Sequence, residues 1–279
     1  MGGHHVQRTA AQLSNVIPPV PQLYERLWRV RSLSLLSGRT FPTSEELDEL
    51  VTALDPRVGS VLLDVACSEG LYARALARRG ATVVAVDHSV AFLKRVVRRA
   101  TRDGLSIVAV RALAQHLPFA EQSFAGVGMG GSLNEIGDQQ RAVAEMARVV
   151  RVGGSVFSMH LETATTPFGK VLQKAAGVAG VTFPTPDQTT NLFGSAPLKI
   201  VNIARDRIVV RVTAGRSAPK PVRRSPRTPP SRCGLDLSPP VLPTHEVRFP
   251  LDRPEARPVP VVPHQSMKVA DHPSCPRTE

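Results

Sequence analysis

Short runs of β-branched and other apolar residues alternate with amphipathic stretches between residues 61 and 160, and this alternation constrains the fold more than any other feature. The runs that predict strands lie at 61–65, 82–86, 106–110, 124–129 and 155–160. Helical spacing predicts helices between them, at 72–79, 90–102 and 139–150, the last closed by Gly153-Gly154. Because apolar strands that alternate with helices form a parallel sheet covered on both faces, the pattern predicts a doubly wound α/β domain.

The segments that flank this alternation extend the prediction. Residues 1–20 are polar and end in paired prolines, which predicts a flexible lead-in, and 21–43 carry apolar side chains at helical spacing, which predicts a helical cap. Ser44 opens a further predicted helix. Two β-rich runs at 198–204 and 207–212 predict a closing antiparallel hairpin, so the domain is assigned to residues 44–215.

Residues 216–279 have a different composition. They contain 15 of the 25 prolines and keep no helical or strand period. Such a segment cannot bury a core, so a disordered Pro/Arg-rich tail is predicted.

Composition limits the classes of protein that remain. Three cysteines without paired spacing argue against a disulfide framework and a zinc site, so no metal is predicted. No long apolar run or secretory leader occurs, which predicts a cytoplasmic protein without a transmembrane segment. The net charge of +12 is spread along the chain, and its densest run, 94–99, fits a solvated helix face, so nucleic acid is not favoured as a partner.

A loop of mostly small residues follows the first predicted strand. Its sequence from Asp64 to Gly70 is Asp-Val-Ala-Cys-Ser-Glu-Gly, and Asp87 ends the second strand about twenty residues later. Small residues let the backbone approach a ligand at the carboxyl end of such a sheet, where open α/β folds bind ligands. An acidic residue at the end of the next strand can accept both hydroxyls of a ribose.

These two elements together resemble the class I S-adenosylmethionine-dependent methyltransferases. The resemblance continues through Leu117-Pro118-Phe119 and through 145–154, which are similar to the quinone-biosynthesis and small-molecule branch of that family. It implies S-adenosyl-L-methionine as the cofactor. The residues that it implies for cofactor binding are Asp64, Ala66, Ser68, Gly70, Asp87, His88, Ala114 and Gln115.

The sequence also departs from the family pattern. Leu113 and Ala125 stand where acidic residues are usual, and Ala66 and Ser68 replace two glycines of the first motif. A dinucleotide is the weaker alternative cofactor, because Glu69 would lie where a pyrophosphate needs N–H donors. Next to a sulfonium or an ammonium that carboxylate is tolerable.

Three residues are candidates for catalysis. Asn134 and Glu135 follow the fourth strand, where the family resemblance implies contacts with the acceptor; alternatively, they only bond local backbone. His160, at the end of the fifth strand, could serve as a base, or it could be a satisfied strand-end histidine.

The resemblance therefore predicts transfer of a methyl group to a small-molecule or lipid/quinone-like acceptor. Two alternatives stay open. An RNA methyltransferase would fit the basic charge, although no RNA-binding module is recognisable. A degenerate protein that binds S-adenosylmethionine without turnover would fit the departures from the motifs. The oligomeric state is not predicted.

Overall fold

A computed structural model describes residues 43–195 and 197–218 of the 279-residue chain. Seven strands form one sheet. They are β1 (Val61–Val65), β2 (Thr82–Asp87), β3 (Ile107–Arg111), β4 (Phe124–Gly130), β5 (Val150–Leu161), β6 (Leu198–Asp206) and β7 (Val209–Arg216). The helices are α1 (Thr43–Leu54), α2 (Leu71–Ala77), α3 (Val90–Asp103), α4 (Gln139–Val149), α5 (Pro167–Val178) and α6 (Pro186–Gly194), with a 3₁₀ turn at Leu133–Glu135.

The strand order is β3-β2-β1-β4-β5-β7-β6. Strands β1 to β5 pair in parallel, whereas β7 runs antiparallel between β5 and β6. This arrangement confirms the predicted doubly wound sheet and its closing antiparallel hairpin. The order reverses between β1 and β4, so their connections leave to opposite faces and a crevice opens at the carboxyl ends of these strands.

Each face of the sheet is covered by its own apolar cluster. Helices α1, α2 and α3 pack on one face through buried side chains that include Leu50, Leu76 and Val96. On the other face α4 and α6 contribute Met146 and Phe193. With both faces covered by helices, the loops at the carboxyl edge are where a sheet of this order binds a ligand.

The hairpin strand β7 ends with a buried arginine that fixes helix α4. The guanidinium of Arg216 donates to the carbonyls of Ala147, Arg148 and Val150 at the end of α4. A cation there satisfies the carbonyls that the last helical turn leaves free and complements the helix dipole.

Several predicted bounds are wrong. Gly153 and Gly154 do not close a helix, because α4 ends at Val149 and β5 already begins at Val150. Helices α5 and α6 were not predicted at all. The hairpin turn falls at Arg207 and Ile208, after the charged pair where it was expected.

Some predictions concern residues that the structure does not describe. The lead-in, all but Thr43 of the helical cap at 21–43, and the tail beyond residue 218 belong to this group. Among the described residues, no helix combines the length and apolarity needed to cross a bilayer. The same part of the chain holds no cluster of three or more His, Cys, Asp or Glu side chains that could ligate a metal.

Candidate cofactor site

The loop between β1 and α2 lies at the carboxyl edge and has an unusual backbone. Ala66 and Ser68 adopt φ angles of 53° and 48°, and Gly70 adopts 74°. Left-handed conformations are strained for residues with a Cβ, at a cost of roughly 1–2 kcal/mol each, and such strain collects at functional sites. The carboxylate of Asp64 stabilises the loop by accepting a 2.8 Å hydrogen bond from the backbone N–H of Ala73 in α2.

Asp87 is the last residue of β2, and its side chain is 4% exposed. Its carboxylate accepts hydrogen bonds from the backbone N–H groups of Ser68, at 2.9 Å, and Ser89, at 2.8 Å. The ring of His88 lies 3.4 Å from the same carboxylate through Nδ1. Burial raises the pKa of Asp87, and these donors oppose part of that rise. The structure therefore brings Ser68, Asp87 and His88 together.

A small cavity of about 20 Å³ lies beside this carboxylate. Its walls come from the motif loop, the end of β2 and the segment after β3: Ala66, Asp87, His88, Ala112, Leu113, Ala114 and Ile136. The cavity is smaller than a single adenosine, so a bound nucleoside must extend beyond it or displace one wall. Its lining nevertheless joins Ala66, Asp87, His88 and Ala114, four of the eight residues predicted to bind the cofactor.

The donor set around this cavity fits the adenosine part of S-adenosylmethionine. An ionised carboxylate offers about four acceptor positions, so Asp87 can receive ribose hydroxyls in addition to the two backbone N–H bonds. Next to Ala114, the side-chain amide of Gln115 is buried, and neither of its polar atoms has a hydrogen-bond partner among the described residues. Gln115 is not among the residues that line the cavity, so its amide can bond a polar ligand such as adenine only after the wall has shifted.

The loop that carries Ala114 and Gln115 is fixed from the opposite side by α4. The carboxylate of Glu145 accepts the N–H of Leu117 at 2.9 Å, and Arg148 donates to the carbonyls of Leu117 and Phe119. Arg148 also pairs with Glu145 and lowers the pKa of that carboxyl. The two later segments that carried the family resemblance therefore contact each other.

The expectation for Glu69 is wrong. Its carboxylate is buried and forms ion pairs with Arg95 and Arg99 of α3, so it faces that helix and not the crevice. Two members of the basic run at 94–99 are thus partners of the motif loop. The left-handed turns at Ala66 and Ser68 decide this direction, and the residue pattern did not reveal them.

Asn134 lies in the 3₁₀ turn after β4, and its side chain is 4% exposed. Its amide accepts the N–H of Leu161 and donates to the carbonyls of Leu161 and Thr182, all at 2.7 to 2.8 Å. These bonds favour the interpretation in which Asn134 bonds backbone, although its partners are distant in sequence. Glu135 follows it in the same turn and is half-buried.

His160 lies one residue before the end of β5 and is fully buried on the α6 side of the sheet. Its Nε2 is 3.2 Å from the hydroxyl of Thr189, and its ring stacks on Phe193 with centroids 5.8 Å apart. Burial, with a smaller contribution from the charge of Arg205, lowers the pKa of His160 to about 3. A base with so low a pKa takes up few protons near neutral pH, which favours a structural histidine.

Sequence reasoning missed two features at this edge. Ser132 donates from Oγ to the carbonyl of Ala66 at 3.2 Å, so the segment after β4 is tied to the motif loop. The ring of Tyr72 covers Gly130, where an added Cβ would lie 2.6 Å from Cζ, and its hydroxyl donates to the buried carboxylate of Glu46 in α1. The sequence signal for this contact was the combination of a glycine at the end of β4 and a tyrosine early in α2.

Comparison of the sequence with known proteins indicates the family to which this site belongs. A profile described as a methyltransferase domain matches residues 63–158. The demethylmenaquinone methyltransferase of Thermobifida fusca is 41% identical over 107 residues, which cover 37% of this chain and 44% of that protein. The same enzyme of Corynebacterium kroppenstedtii is 32% identical over 118 residues, covering 41% of this chain and 47% of that one. The chain thus spans less than half the length of these relatives.

Solved structures share the fold. The geranyl diphosphate C-methyltransferase of Streptomyces coelicolor, solved with S-adenosyl-L-homocysteine, aligns with a TM-score of 0.55 at 16% identity, over 62% of this chain and 77% of that one. At this identity the likeness concerns the fold alone. Sheet order, motif loop, Asp87 and the profile match agree, and residues 63–158 carry a methyltransferase domain of the class I family, whose cofactor is S-adenosyl-L-methionine.

Proposed function

We propose that this protein transfers a methyl group from S-adenosylmethionine to a small apolar acceptor of the quinone or lipid type. The observation that carries the proposal is the buried carboxylate of Asp87, which lies beside the cavity and is oriented by Ser68 and Ser89. In this proposal Asp87 receives the ribose, and Ala114 and Gln115 meet the adenine. Asp64, Ala66, Ser68 and Gly70 shape the loop against the methionine part.

The chemistry asks little of the protein beyond position. S-Adenosylmethionine supplies an electrophilic methyl group on a sulfonium, and no nucleophile or metal from the protein is required. Most of the rate can come from holding donor and acceptor in line in a dry site. The described residues contribute a rigid loop, fixed by Asp64, Asp87 and Ser132, and a buried edge of the sheet.

The acceptor class is supported by the relatives and by the surroundings of the crevice. Two partial relatives are named demethylmenaquinone methyltransferases, so an aromatic ring with hydroxyl groups is the first acceptor to try. At the end of β4, the half-buried glycines at 130 and 131 add no charge to the crevice, which is compatible with a flat, uncharged ring.

Cofactor binding is tested with Asp87→Asn. The amide keeps the shape of the carboxylate but loses its charge and one of the two oxygens that accept the N–H groups of Ser68 and Ser89, so affinity for S-adenosylmethionine, measured by calorimetry, should fall by about 1.5–3 kcal/mol or more. Asp103→Asn is the matched control, since the ion pairs that Asp103 forms with Arg78 and Arg102 lie at the surface. Unchanged affinity in a folded Asp87→Asn variant would falsify the ribose role.

Methyl transfer is tested separately. The full chain is incubated with labelled methyl donor and a short-chain demethylnaphthoquinol, and with cell extract in a parallel reaction. Label in the quinol, lost in the Asp87→Asn variant, supports the proposal. Label that enters only RNA from the extract would favour the RNA alternative and overturn the acceptor class.

A second candidate is a protein that binds the cofactor without turnover. The departures from the motif at Ala66 and Ser68, which adopt left-handed conformations where the family pattern has glycine, favour it. Calorimetric binding without transfer to the quinol or to any component of the extract would select this candidate.

A further inference from the structure

Helix α5 presents its large apolar side chains to solvent. Phe168 and Val171 are each 66% exposed and Val178 is 89% exposed, and Ala175 lies exposed between them. At 100° per residue these four positions fall within one outward stripe, which we call the α5 stripe. A surface helix of a soluble domain ordinarily turns such residues toward the core, whereas α5 turns them toward solvent.

The inward face of α5 explains how the helix stays attached without them. It contains Gly169 and Gln173, and both are buried. Gln173 accepts the N–H of Ala164 and donates to the carbonyl of Glu162, at 2.8 and 2.9 Å. An added Cβ at Gly169 would lie 2.7 Å from the Cβ of Ala164, so the helix rests closely on that segment. Polar bonds and a close approach therefore attach α5 to the domain through the face opposite the stripe.

The charges beside the stripe have one sign. Lys170 and Lys174 are exposed and lie along one border of the stripe, and α5 contains no acidic residue. The one acid just before the helix, Glu162, is buried and paired with Arg205. Apolar side chains bordered by lysines are typical of helices that lie in the interface of an anionic bilayer.

The position of α5 links this surface to the cofactor crevice. Asn134, next to the crevice, bonds the backbone at Leu161 before the helix and at Thr182 after it. Both ends of the segment that carries α5 are therefore held at the carboxyl edge of the sheet. A bilayer that contacts the stripe lies at the edge where an apolar acceptor must arrive.

We propose that the α5 stripe, with Lys170 and Lys174, docks this protein on an anionic lipid surface so that the carboxyl edge of the sheet faces the bilayer. The proposal deepens the proposed function and rests on it for the link to an acceptor dissolved in lipid. The docking itself needs no methyl transfer and is measured independently.

The test is flotation of the full chain with phosphatidylcholine vesicles, with and without phosphatidylglycerol. The wild type should bind the anionic vesicles, and less so as salt is raised. Phe168→Ser/Val178→Ser should weaken vesicle binding by about tenfold or more, because the substituted side chains no longer enter the lipid. The control is Val108→Ser/Val201→Ser, which changes two exposed valines of the edge strands β3 and β6 and should leave vesicle binding unchanged.

The lysines are tested in the same assay. Lys170→Glu/Lys174→Glu should reduce binding to anionic vesicles by more than about tenfold, and Lys94→Glu/Lys199→Glu, at exposed positions on α3 and β6, should not. Absence of vesicle binding, or equal loss in the control variants, overturns the proposal. So does a dimer in light scattering that only the stripe variant dissociates, because the stripe is then covered by a second copy.

Failure of the docking proposal is separable from failure of the proposed function. The stripe variant, Phe168→Ser/Val178→Ser, should bind S-adenosylmethionine and methylate a water-soluble quinol as well as the wild type does. Its methyl transfer to a quinol held in anionic vesicles should fall in proportion to its loss of vesicle binding. If the wild type binds vesicles yet not S-adenosylmethionine, the proposed function fails and the docking surface stands. If transfer in vesicles is unaffected by the stripe variant, the docking proposal is wrong.

Discussion

Substitution of His160 tests how the interior of the sheet responds to acid. The ring is fully buried, stacks on Phe193, and has one partner, the hydroxyl of Thr189, at Nε2. Its Nδ1 is buried without a hydrogen-bond partner among the described residues. Protonation would place a charge in this apolar site near the guanidinium of Arg205, and the pKa of His160 is lowered from 6.5 to about 3 for that reason.

The sign of the effect follows from proton uptake. Between pH 6.5 and about 3, the unfolded chain holds a proton on this imidazole and the folded chain does not. The free energy of unfolding therefore has its full value above the unfolded pKa and falls with acidification, by roughly 1.4 kcal/mol per pH unit. Over the whole window the loss is on the order of 4–5 kcal/mol, comparable with the entire stability of many domains.

The assay is urea unfolding of the wild type and His160→Gln from pH 7.5 down to the onset of acid unfolding. The neutral amide can still bond Thr189, and it removes the titration. Other groups, including Asp87, whose raised pKa acts in the opposite direction, titrate in both proteins and cancel in the difference. The wild type should lose stability faster than the variant below about pH 6.5. Parallel slopes would refute the buried, neutral histidine.

Two substitutions distinguish residues that build the site from residues that meet a ligand. Asn134→Ala leaves buried backbone groups at Leu161 unpaired and should lower the free energy of unfolding by about 2–3 kcal/mol. The control Asn191→Ala changes an exposed position and should leave the free energy of unfolding unchanged. Equal values for the two variants would show that the bonds from Asn134 to the backbone do not stabilise the fold. Gly70→Val combines a φ of 74° with a Cβ 3.0 Å from Val96, so melting temperature and cofactor affinity should both fall. The control Gly104→Val has a similar φ of 63°, but its added Cβ meets no other atom, so it measures the cost of the left-handed backbone alone. Equal losses of melting temperature in the two variants would refute the argument that the Cβ at position 70 clashes with Val96.

The strands were predictable because each buried run is short, β-branched and bounded by turn residues. The two missed helices were also within reach of the sequence. Thr166-Pro167 and Thr185-Pro186 are N-cap and N1 pairs, and Gln188 completes a capping box with Thr185. In α5 the apolar residues Phe168, Val171, Ala175 and Val178 also recur at helical spacing, so periodicity and capping together indicated a helix that was not predicted.

The roles of the site residues were harder to predict than the elements that carry them. The partners of Asn134 lie 27 and 48 residues away, and no local pattern indicates such contacts. Glu69 points to α3 because of backbone turns that Ala and Ser rarely adopt. Asp87 was predictable, since the end of a parallel strand next to the switch point fixes its position whatever its neighbours are.

The bonds around the cavity indicate which wall admits a ligand. The motif loop is held by the side chains of Asp64, Asp87 and Ser132, and moving it would break all three contacts. The opposite wall is held as well, because the N–H of Ala112 donates to the carbonyl of Asp87, Arg141 donates to the carbonyl of Gln115, and Glu145 accepts the N–H of Leu117. Within this wall, the side chains of Leu113 and Ala114 line the cavity and can make no hydrogen bond. An acidic side chain at position 113 could accept a hydrogen bond from a ligand on this wall. Because Leu113 cannot, adenine recognition depends on backbone groups and on the neighbouring amide of Gln115. The side chain of Leu113 is therefore the part of this wall that we expect to move, and cofactor affinity depends on the cost of displacing it.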